Sequence, residues 1–223
     1  MTRTSFDEIW EAAVLKKGSD AALEALLPKP IADKDLIAIS EDRWLSDMTM
    51  RIFQAGFSWK VVEAKWAGFE TVFQNFDPGP LAFMTDEDIG RLVSDKRIIR
   101  NGQKIKTVRE NASFLLDIVR EHGSVGAFYA GWPSHDFIGL LDVLKSRASR
   151  MGGASAQYHL RMMGKDAFLL SADVTSALIH YGVVDKAPTS KGALKATQAA
   201  FNQWMEESGR GLSAISRTLA ATI

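Results

Sequence analysis

Apolar residues recur at helical spacing along most of this chain, and this pattern most constrains its fold. In KVVEAKWAGFETVFQNF, residues Val62, Trp66, Phe69 and Phe73 fall on one face of a helix. The alternation of apolar and polar residues that is typical of strands is nearly absent. Its single candidate, AFLL at residues 167–170, is too short to build a sheet. The sequence therefore predicts an all-α protein with about ten helices.

Breaks in the pattern predict the organisation of the chain. Two short helical runs end before Pro28 and Pro30, which predicts an N-terminal helical extension at residues 1–40 and a main domain at residues 41–223. DPGP at residues 77–80 predicts a break.

Capping signals and long apolar patterns predict individual helices within the main domain. Thr85 and Asp88 have the spacing of a capping box, which predicts a helix start. Further helices are predicted at about residues 103–121 and 190–207.

Charge and cysteine content limit the possible chemistry. With 27 basic and 27 acidic residues the net charge is zero, so binding to a polyanion would need a local basic patch. The absence of cysteine excludes disulfides, thiolate catalysis and cysteine-ligated zinc. The four histidines lack metal-ligand spacing, and no run approaches the roughly 18 apolar residues of a membrane span. We therefore predict a cytoplasmic protein with no metal, no cofactor and no membrane association.

A glycine pair, Gly152 and Gly153, separates two helix-like runs in SRMGGASAQYHL. Glycine permits positive φ and close approach of the backbone, and the free N–H groups at the start of the next helix suit a phosphate. Lys145, Arg147 and Arg150 concentrate positive charge just before the pair. The pattern indicates a phosphate-binding hairpin, with a plain helix–helix corner as the alternative.

The stretch LLDVLKSRASRMGGASAQYHLRMMGKDAFLLSADVTSAL resembles the helix-hairpin-helix and downstream aspartate of the DNA glycosylase superfamily. The resemblance implies that Asp173 serves catalysis and that the hairpin holds the DNA backbone. An alternative role for Asp173 is a helix N-cap before VTSALI. Taken together, the charge pattern and the resemblance predict that the DNA-binding residues are Lys145, Arg147, Arg150, Gly152, Gly153 and Ser155.

A second stretch is similar to 3-methyladenine DNA glycosylase I. That family's pattern Q-A-G-x-S-W, F-D-P, an acidic helix start, and I-I-R followed by K-I matches residues 54–59, 76–78, 86–88 and 98–105. The two resemblances together cover roughly residues 44–180. They imply a helix-hairpin-helix glycosylase-like fold with two lobes around a cleft.

The chain also departs from this family. The family's zinc site needs cysteines, and this chain has none. Arg51 stands where the family has a pocket glutamate, and a guanidinium cannot accept the hydrogen bond that a carboxylate takes from an adenine amino group. The family generally lacks the superfamily aspartate that Asp173 matches. The sequence thus resembles a divergent relative that uses the more usual superfamily chemistry.

These residues predict a reaction. Aromatic faces would hold an extruded base, and an ionised Asp173 would stabilise positive charge on the sugar and direct water at C1′. Bifunctional relatives use a lysine in the second helix of the hairpin, whereas GASAQYHLR contains none, so the enzyme is expected to be monofunctional. The predicted base-pocket residues are Trp44, Arg51, Phe53, Phe57 and Trp59. A place in the core is the alternative for Trp59 and the phenylalanines, and Arg51 would enter the pocket or point to solvent.

The sequence predicts a monomeric DNA repair glycosylase that releases alkylated purines, 3-methyladenine above all, from double-stranded DNA in base excision repair. The alternatives are a non-catalytic DNA-binding protein of the same fold and, ranked last, a helical protein-interaction module. The KRIIRNGQKIK run at residues 96–106 would contact the DNA backbone or form a solvated helix entrance. Tyr129 and Trp132 would line the cleft or close the core, and His135 and His159 are interpreted as ordinary polar residues.

Overall fold

The computed structural model describes residues 4–223, and this range contains fifteen α-helices, two short 3-10 helices and no strand. The all-α prediction is confirmed. The helices outnumber the predicted ten because some predicted runs are divided; Lys65, for example, separates two short helices. No helix within residues 4–223 has the length and apolar character needed to cross a membrane.

In chain order the α-helices are α1 (Phe6–Lys17), α2 (Asp20–Glu24), α3 (Asp33–Ile37), α4 (Glu41–Gln54), α5 (Trp59–Ala64), α6 (Trp66–Val72), α7 (Pro78–Leu81), α8 (Asp86–Ser94), α9 (Gly102–His122), α10 (Val125–Gly131), α11 (Phe137–Arg147), α12 (Ala154–Met162), α13 (Ala172–His180), α14 (Lys191–Ser208) and α15 (Leu212–Ala221). The 3-10 helices are Gln74–Phe76 and Ser134–Asp136. The capping box of Thr85 and Asp88 at the start of α8 is confirmed, as are the long helices predicted near residues 103–121 and 190–207.

The described chain forms two compact units. The terminal unit comprises residues 4–31, 132–140 and 160–223, and the central unit comprises residues 32–131 and 141–159. In the terminal unit α1 packs on α14 and α15, and α13 also packs on α15. The predicted boundary between an extension and a main domain at residue 40 stays a prediction.

The core of the terminal unit includes a row of aromatic rings. The ring centroid of Phe168 lies 4.7 Å from that of Phe137 and 4.4 Å from that of Phe201, and all three side chains are buried. Asp166 accepts hydrogen bonds of 2.8 Å from the backbone N–H groups of Leu212 and Ser213, so a distant carboxylate satisfies the start of α15.

In the central unit α9 contacts α4, α7, α8 and α10, and α10 also packs closely on α3. Trp66 stacks on Phe69 and Phe76, with centroid distances of 4.8 Å and 5.5 Å. Next to this stack the 3-10 turn Gln74–Phe76 has three successive non-glycine residues with positive φ. Arg43 stabilises the turn, because it donates to the Asn75 carbonyl at 2.8 Å and binds both carboxylate oxygens of Glu70 at 3.0 Å.

The predicted break at DPGP is only partly correct. The helical pattern does stop at the left-handed turn before Asp77, but the chain then starts the single-turn helix α7. The Asp77 side chain accepts a hydrogen bond from the Gly79 N–H at 3.0 Å, and proline at the first helical position has no N–H that needs a partner. The DPGP residues therefore begin a helix, and the left-handed turn before them ends the preceding helical pattern.

Candidate functional site

A pocket of about 260 Å³ lies in the central unit, between the end of α4, the start of α5 and the start of α12. It brings together three residues that the sequence analysis proposed, Arg51, Trp59 and Ser155. The volume is slightly below the range of small-molecule sites, which is typically about 300–1,000 Å³, so the pocket suits a single ring system. The residues that line it are Arg51, Gln54, Ala55, Gly56, Trp59, Ala154, Ser155 and Tyr158.

The Q-A-G-F-S-W segment forms one side of this pocket by linking two helices. Helix α4 ends at Gln54, and Gly56 takes a φ of +70°, a value that glycine adopts without strain. The chain then enters α5 at Trp59, whose side chain is 38% exposed. The Trp59 ring meets Tyr158 edge to face with a centroid distance of 5.2 Å, so an accessible aromatic pair borders the pocket.

Arg51 is held in a fixed orientation. Its Nε and Nη2 donate to Oδ1 of Asp47 at 3.1 Å and 2.8 Å, and its Nη1 donates to Oε1 of Gln54 at 2.7 Å. The Arg51 side chain is 10% exposed, and its Cζ lies 5.6 Å from the centroid of the Trp59 ring. The guanidinium therefore lies beside the aromatic face with little freedom to reorient.

Asp47 extends this network into the protein interior. Its Oδ2 lies 2.8 Å from Nδ1 of His159, and the His159 side chain is fully buried. His159 packs edge-on against Trp44 and Tyr129, with centroid distances of 5.7 Å to each, and its Nε2 has no hydrogen-bond partner within residues 4–223. Burial, and then the charge of Asp47, raises the pKa of the Tyr129 hydroxyl, which therefore stays protonated.

The interpretation of His159 as an ordinary polar residue is incomplete, and the sequence predicts no role for Asp47. The structure connects His159 to the pocket through Asp47 and Arg51. The i, i+4 spacing of Asp47 and Arg51 on α4 was a usable signal for their ion pair. The pairing with His159 had no such signal, because the two residues lie on helices far apart in the sequence.

The other predicted pocket residues lie elsewhere. Trp44 and Phe53 are 0% and 1% exposed and belong to the core of the central unit, as does Tyr129. Phe57 is 47% exposed but is not among the residues that line the pocket. In the terminal unit Trp132 is partly exposed, and its indole N–H donates to the Asp136 carbonyl at 2.8 Å. Among the aromatic residues predicted for the base pocket, Trp59 lines the observed pocket.

The hairpin between α11 and α12 is attached to α9 by a buried asparagine. Asn111 accepts a hydrogen bond from the Ser149 N–H at 2.7 Å and donates to the Ser149 carbonyl at 3.1 Å. Gly153 has a φ of +60°, as its sequence position suggested, and Arg150 has a φ of +57° although it is not a glycine. The left-handed backbone of Arg150 and Gly153, together with the two hydrogen bonds between Asn111 and Ser149, therefore sets the path of the hairpin.

The basic residues of the hairpin differ in the ion pairs and hydrogen bonds that they make with other side chains. Lys145 is exposed and has no ion pair among the described residues, whereas Arg147 binds both carboxylate oxygens of Glu121 at 2.6 Å and 2.8 Å. Arg150 donates to Oε1 of Gln103 at 2.6 Å, and Gln103 lies within the basic run at residues 96–106. Burial, and then the charge of Arg150, lowers the pKa of Lys104. Lys104 and Arg150 thus form one positive edge, while Glu121 neutralises Arg147.

Asp173 lies in the terminal unit as the second residue of α13. The N-cap interpretation is wrong, because Ser171 occupies that position and accepts a hydrogen bond from the Val174 N–H at 3.2 Å. Asp173 is exposed and makes no hydrogen bond or ion pair with other described residues. Its carboxylate is therefore available to a ligand. No group of three or more histidines, aspartates or glutamates within residues 4–223 is arranged to hold a metal ion.

Comparisons with known proteins find similarity to DNA glycosylases. The methyladenine glycosylase family model matches residues 38–139. DNA-3-methyladenine glycosylase 1 of Escherichia coli (strain K12) is 42% identical over 65 residues, which are 29% of this chain and 35% of that protein. The match thus spans about a third of the length of this curated relative.

Two solved structures share the fold. The 3-methyladenine DNA glycosylase I of Staphylococcus aureus is 21% identical, with a TM-score of 0.51 over 64% of this chain and 82% of that one. An 8-oxoguanine glycosylase/lyase of Methanocaldococcus jannaschii, in complex with DNA, is 12% identical, with a TM-score of 0.51 over 95% of both chains. The resemblance inferred from the motifs and the glycosylase-like helical fold are therefore confirmed.

Proposed function

We propose that this chain, which resembles the methyladenine glycosylases over residues 38–139, is a DNA glycosylase that hydrolyses the N-glycosidic bond of alkylated purines in base excision repair. The names of its relatives include 3-methyladenine, and we expect this base to be among those that the protein releases. One observation carries the proposal: Trp59 lines the same pocket as Ala154 and Ser155, the first residues after the glycine hairpin.

This arrangement supports base extrusion from a bound strand. A glycosylase must remove the damaged nucleotide from the stack, which costs a few kcal/mol, and the extruded base must then lie against apolar or aromatic faces. Trp59 offers an accessible face, and a cationic N-alkylated base gains about 0.5–2 kcal/mol against such a ring. Backbone N–H groups at the start of α12 and the exposed Lys145 offer contacts to the phosphates beside that base.

Asp173 is the proposed catalytic carboxylate. The base of an N-alkylated purine is already a good leaving group, so the remaining tasks are to stabilise positive charge on the sugar and to orient water. A carboxylate with no hydrogen bond or ion pair among the described residues suits both tasks. Helix α12 contains no lysine, which supports water as the nucleophile and a monofunctional enzyme. The substrate we propose is double-stranded DNA with a damaged base; the monomeric state and cytoplasmic location stay predictions.

Base release from alkylated duplex DNA tests the proposal. We expect the wild-type protein to generate abasic sites, and Asp173→Asn to lower the rate by about 10²–10⁴-fold, the usual contribution of such a group. Asp185→Asn, at another exposed aspartate of the same unit, should retain the wild-type rate. Circular dichroism would verify that both variants are folded.

The alternative outcome is also informative. If the purified protein binds alkylated DNA but releases no base, the enzymatic proposal is wrong and a non-catalytic DNA-binding role remains. If Asp173→Asn and Asp185→Asn both retain full activity, the carboxylate at position 173 is not catalytic.

A further inference from the structure

The charged side chain that lines the pocket is a hydrogen-bond donor. Among the described residues that line the pocket, Arg51 is the one with a charge, and a guanidinium has five N–H groups and no acceptor. Its bonds to Asp47 and Gln54 and its contact with Sδ of Met50 leave one N–H on Nη1 without a partner among the described residues. Because Arg51 lines the pocket, this N–H is the charged donor that it can offer to a bound ring.

This donor is unable to turn away without losing its own bonds. Asp47 holds two nitrogens of Arg51, and the buried His159 holds the other oxygen of Asp47. Asp47 does not line the pocket, so its carboxylate is not presented to a bound base in place of the guanidinium. A donor oriented in this way in advance can discriminate between ligands, because no energy is needed to position it.

Adenine and guanine differ in what they present to such a donor. Guanine carries the O6 acceptor where adenine carries the N6 amino donor. The 3-methyl derivatives of both bases carry the same positive charge, so repulsion from Arg51 is equal in the two cases and cancels in a comparison. A carbonyl edge can accept the free N–H of Arg51, whereas an amino edge would leave two donors facing each other.

We propose that Arg51 is a specificity-determining residue that makes the pocket favour alkylated purines with a carbonyl edge, so that 3-methylguanine is preferred over 3-methyladenine. The inference rests on the proposed glycosylase function and concerns the ranking of substrates at that same pocket.

The test compares two bases within one substrate. Duplex DNA methylated with dimethyl sulfate is incubated with the protein, and released 3-methyladenine and 3-methylguanine are quantified by mass spectrometry relative to their content in the DNA. We expect 3-methylguanine to be released about tenfold faster per lesion, the discrimination supplied by one charge-assisted hydrogen bond.

Arg51→Gln supplies the decisive variant, because an amide can both donate and accept. We expect the ratio of the two rates to fall to about one, whatever the overall rate, and a purely structural role of Arg51 would leave the ratio unchanged. The matched control is Arg120→Gln, at an exposed arginine paired with Asp117, which should keep the wild-type ratio.

A second measurement does not depend on catalysis. Isothermal titration calorimetry of the wild-type protein with each free base should give tighter binding of 3-methylguanine. Release of 3-methyladenine at an equal or greater rate would overturn the inference and leave the proposed function standing. Absence of any base release would overturn the proposed function, and the calorimetric ranking of the two bases would still decide the inference. Equal binding of the two bases, or binding of neither base, would overturn the inference.

Discussion

Asp47 joins two helices of the central unit by accepting hydrogen bonds from Arg51 on α4 and His159 on α12. The three side chains are at most 12% exposed, so water contributes little to their solvation. In such surroundings a charged group that loses its partner is costly, even where the intact pair adds little net stability. The carboxylate thus positions Arg51 for the pocket and connects the hairpin helix to α4.

At this scale we predict that Asp47→Asn lowers the free energy of unfolding by about 1–3 kcal/mol, because the guanidinium loses its counter-ion in a largely dry site. Chemical denaturation followed by circular dichroism would measure the change. The control is Asp117→Asn, whose ion pair with Arg120 is exposed and should contribute below about 0.5 kcal/mol. Equal effects of the two substitutions would contradict the role assigned to Asp47.

At the level of elements, the packing of α3 on α10 depends on a missing side chain. A Cβ atom at Gly126 would lie 2.2 Å from the Leu36 carbonyl oxygen and 2.7 Å from the Ile37 Cα. These are backbone atoms, so the two helices would have to move apart to admit even a methyl group. The glycine-containing, aromatic segment at residues 122–136 suggests a connection rather than a helix, and nothing in it indicates that another backbone passes beside Gly126.

We therefore expect Gly126→Ala to destabilise the protein by about 1–3 kcal/mol, the usual cost of forcing extra volume into a packed contact. Gly131→Ala in the same helix provides a matched comparison, because no atom lies within 4 Å of the added Cβ. Alanine has the higher helix propensity, so this second substitution should be neutral or stabilising by up to about 1 kcal/mol. Thermal and denaturant unfolding of both variants would measure the difference; a loss of stability in Gly131→Ala alone would contradict it.

Over the whole molecule, several carboxylates of the central unit have pKa values below their ordinary range. Burial acts to raise the pKa of Glu70, but hydrogen bonds from Arg43, Ser46 and Trp66 and the Arg43 charge outweigh it and lower the pKa. Hydrogen bonds from Arg97 lower the pKa of Asp95 to about 2. The pKa values of Asp42, Asp88 and Glu121 are also lowered.

Because these folded-state pKa values lie below those of the unfolded chain, the stability they contribute is fully present above the unfolded values. It is lost as protons bind the folded carboxylates at lower pH. We expect the free energy of unfolding to fall as the pH decreases below about 4.5, the ordinary value for glutamate. Glu70→Gln should reduce this acid dependence, whereas Glu87→Gln, at an exposed residue with no ion pair to another described residue, should preserve it. Denaturant titrations between neutral and acidic pH would test this, and an unchanged dependence in Glu70→Gln would contradict it.

The sequence by itself determined the helical class, the capped start of α8 at Thr85, the extents of α9 and α14, and the left-handed backbone of Gly153. These features depend on residues within a few positions of one another, so periodicity, capping spacing and the freedom of glycine are enough to predict them. The ordered Q-A-G-x-S-W motif likewise indicated that Trp59 belongs to the pocket.

Tertiary structure alone decided which of the aromatic residues became core and which polar residues met. Trp44 and Phe53 looked like pocket residues because their types and positions suit a bound base equally well, but their helix faces are covered by other elements. Asn111 and His159 gave no local signal, since their partners Ser149 and Asp47 come from distant parts of the chain. A periodic pattern shows which face of a helix is apolar; what that face meets depends on how the chain folds back on itself, and only the folded contacts determine it.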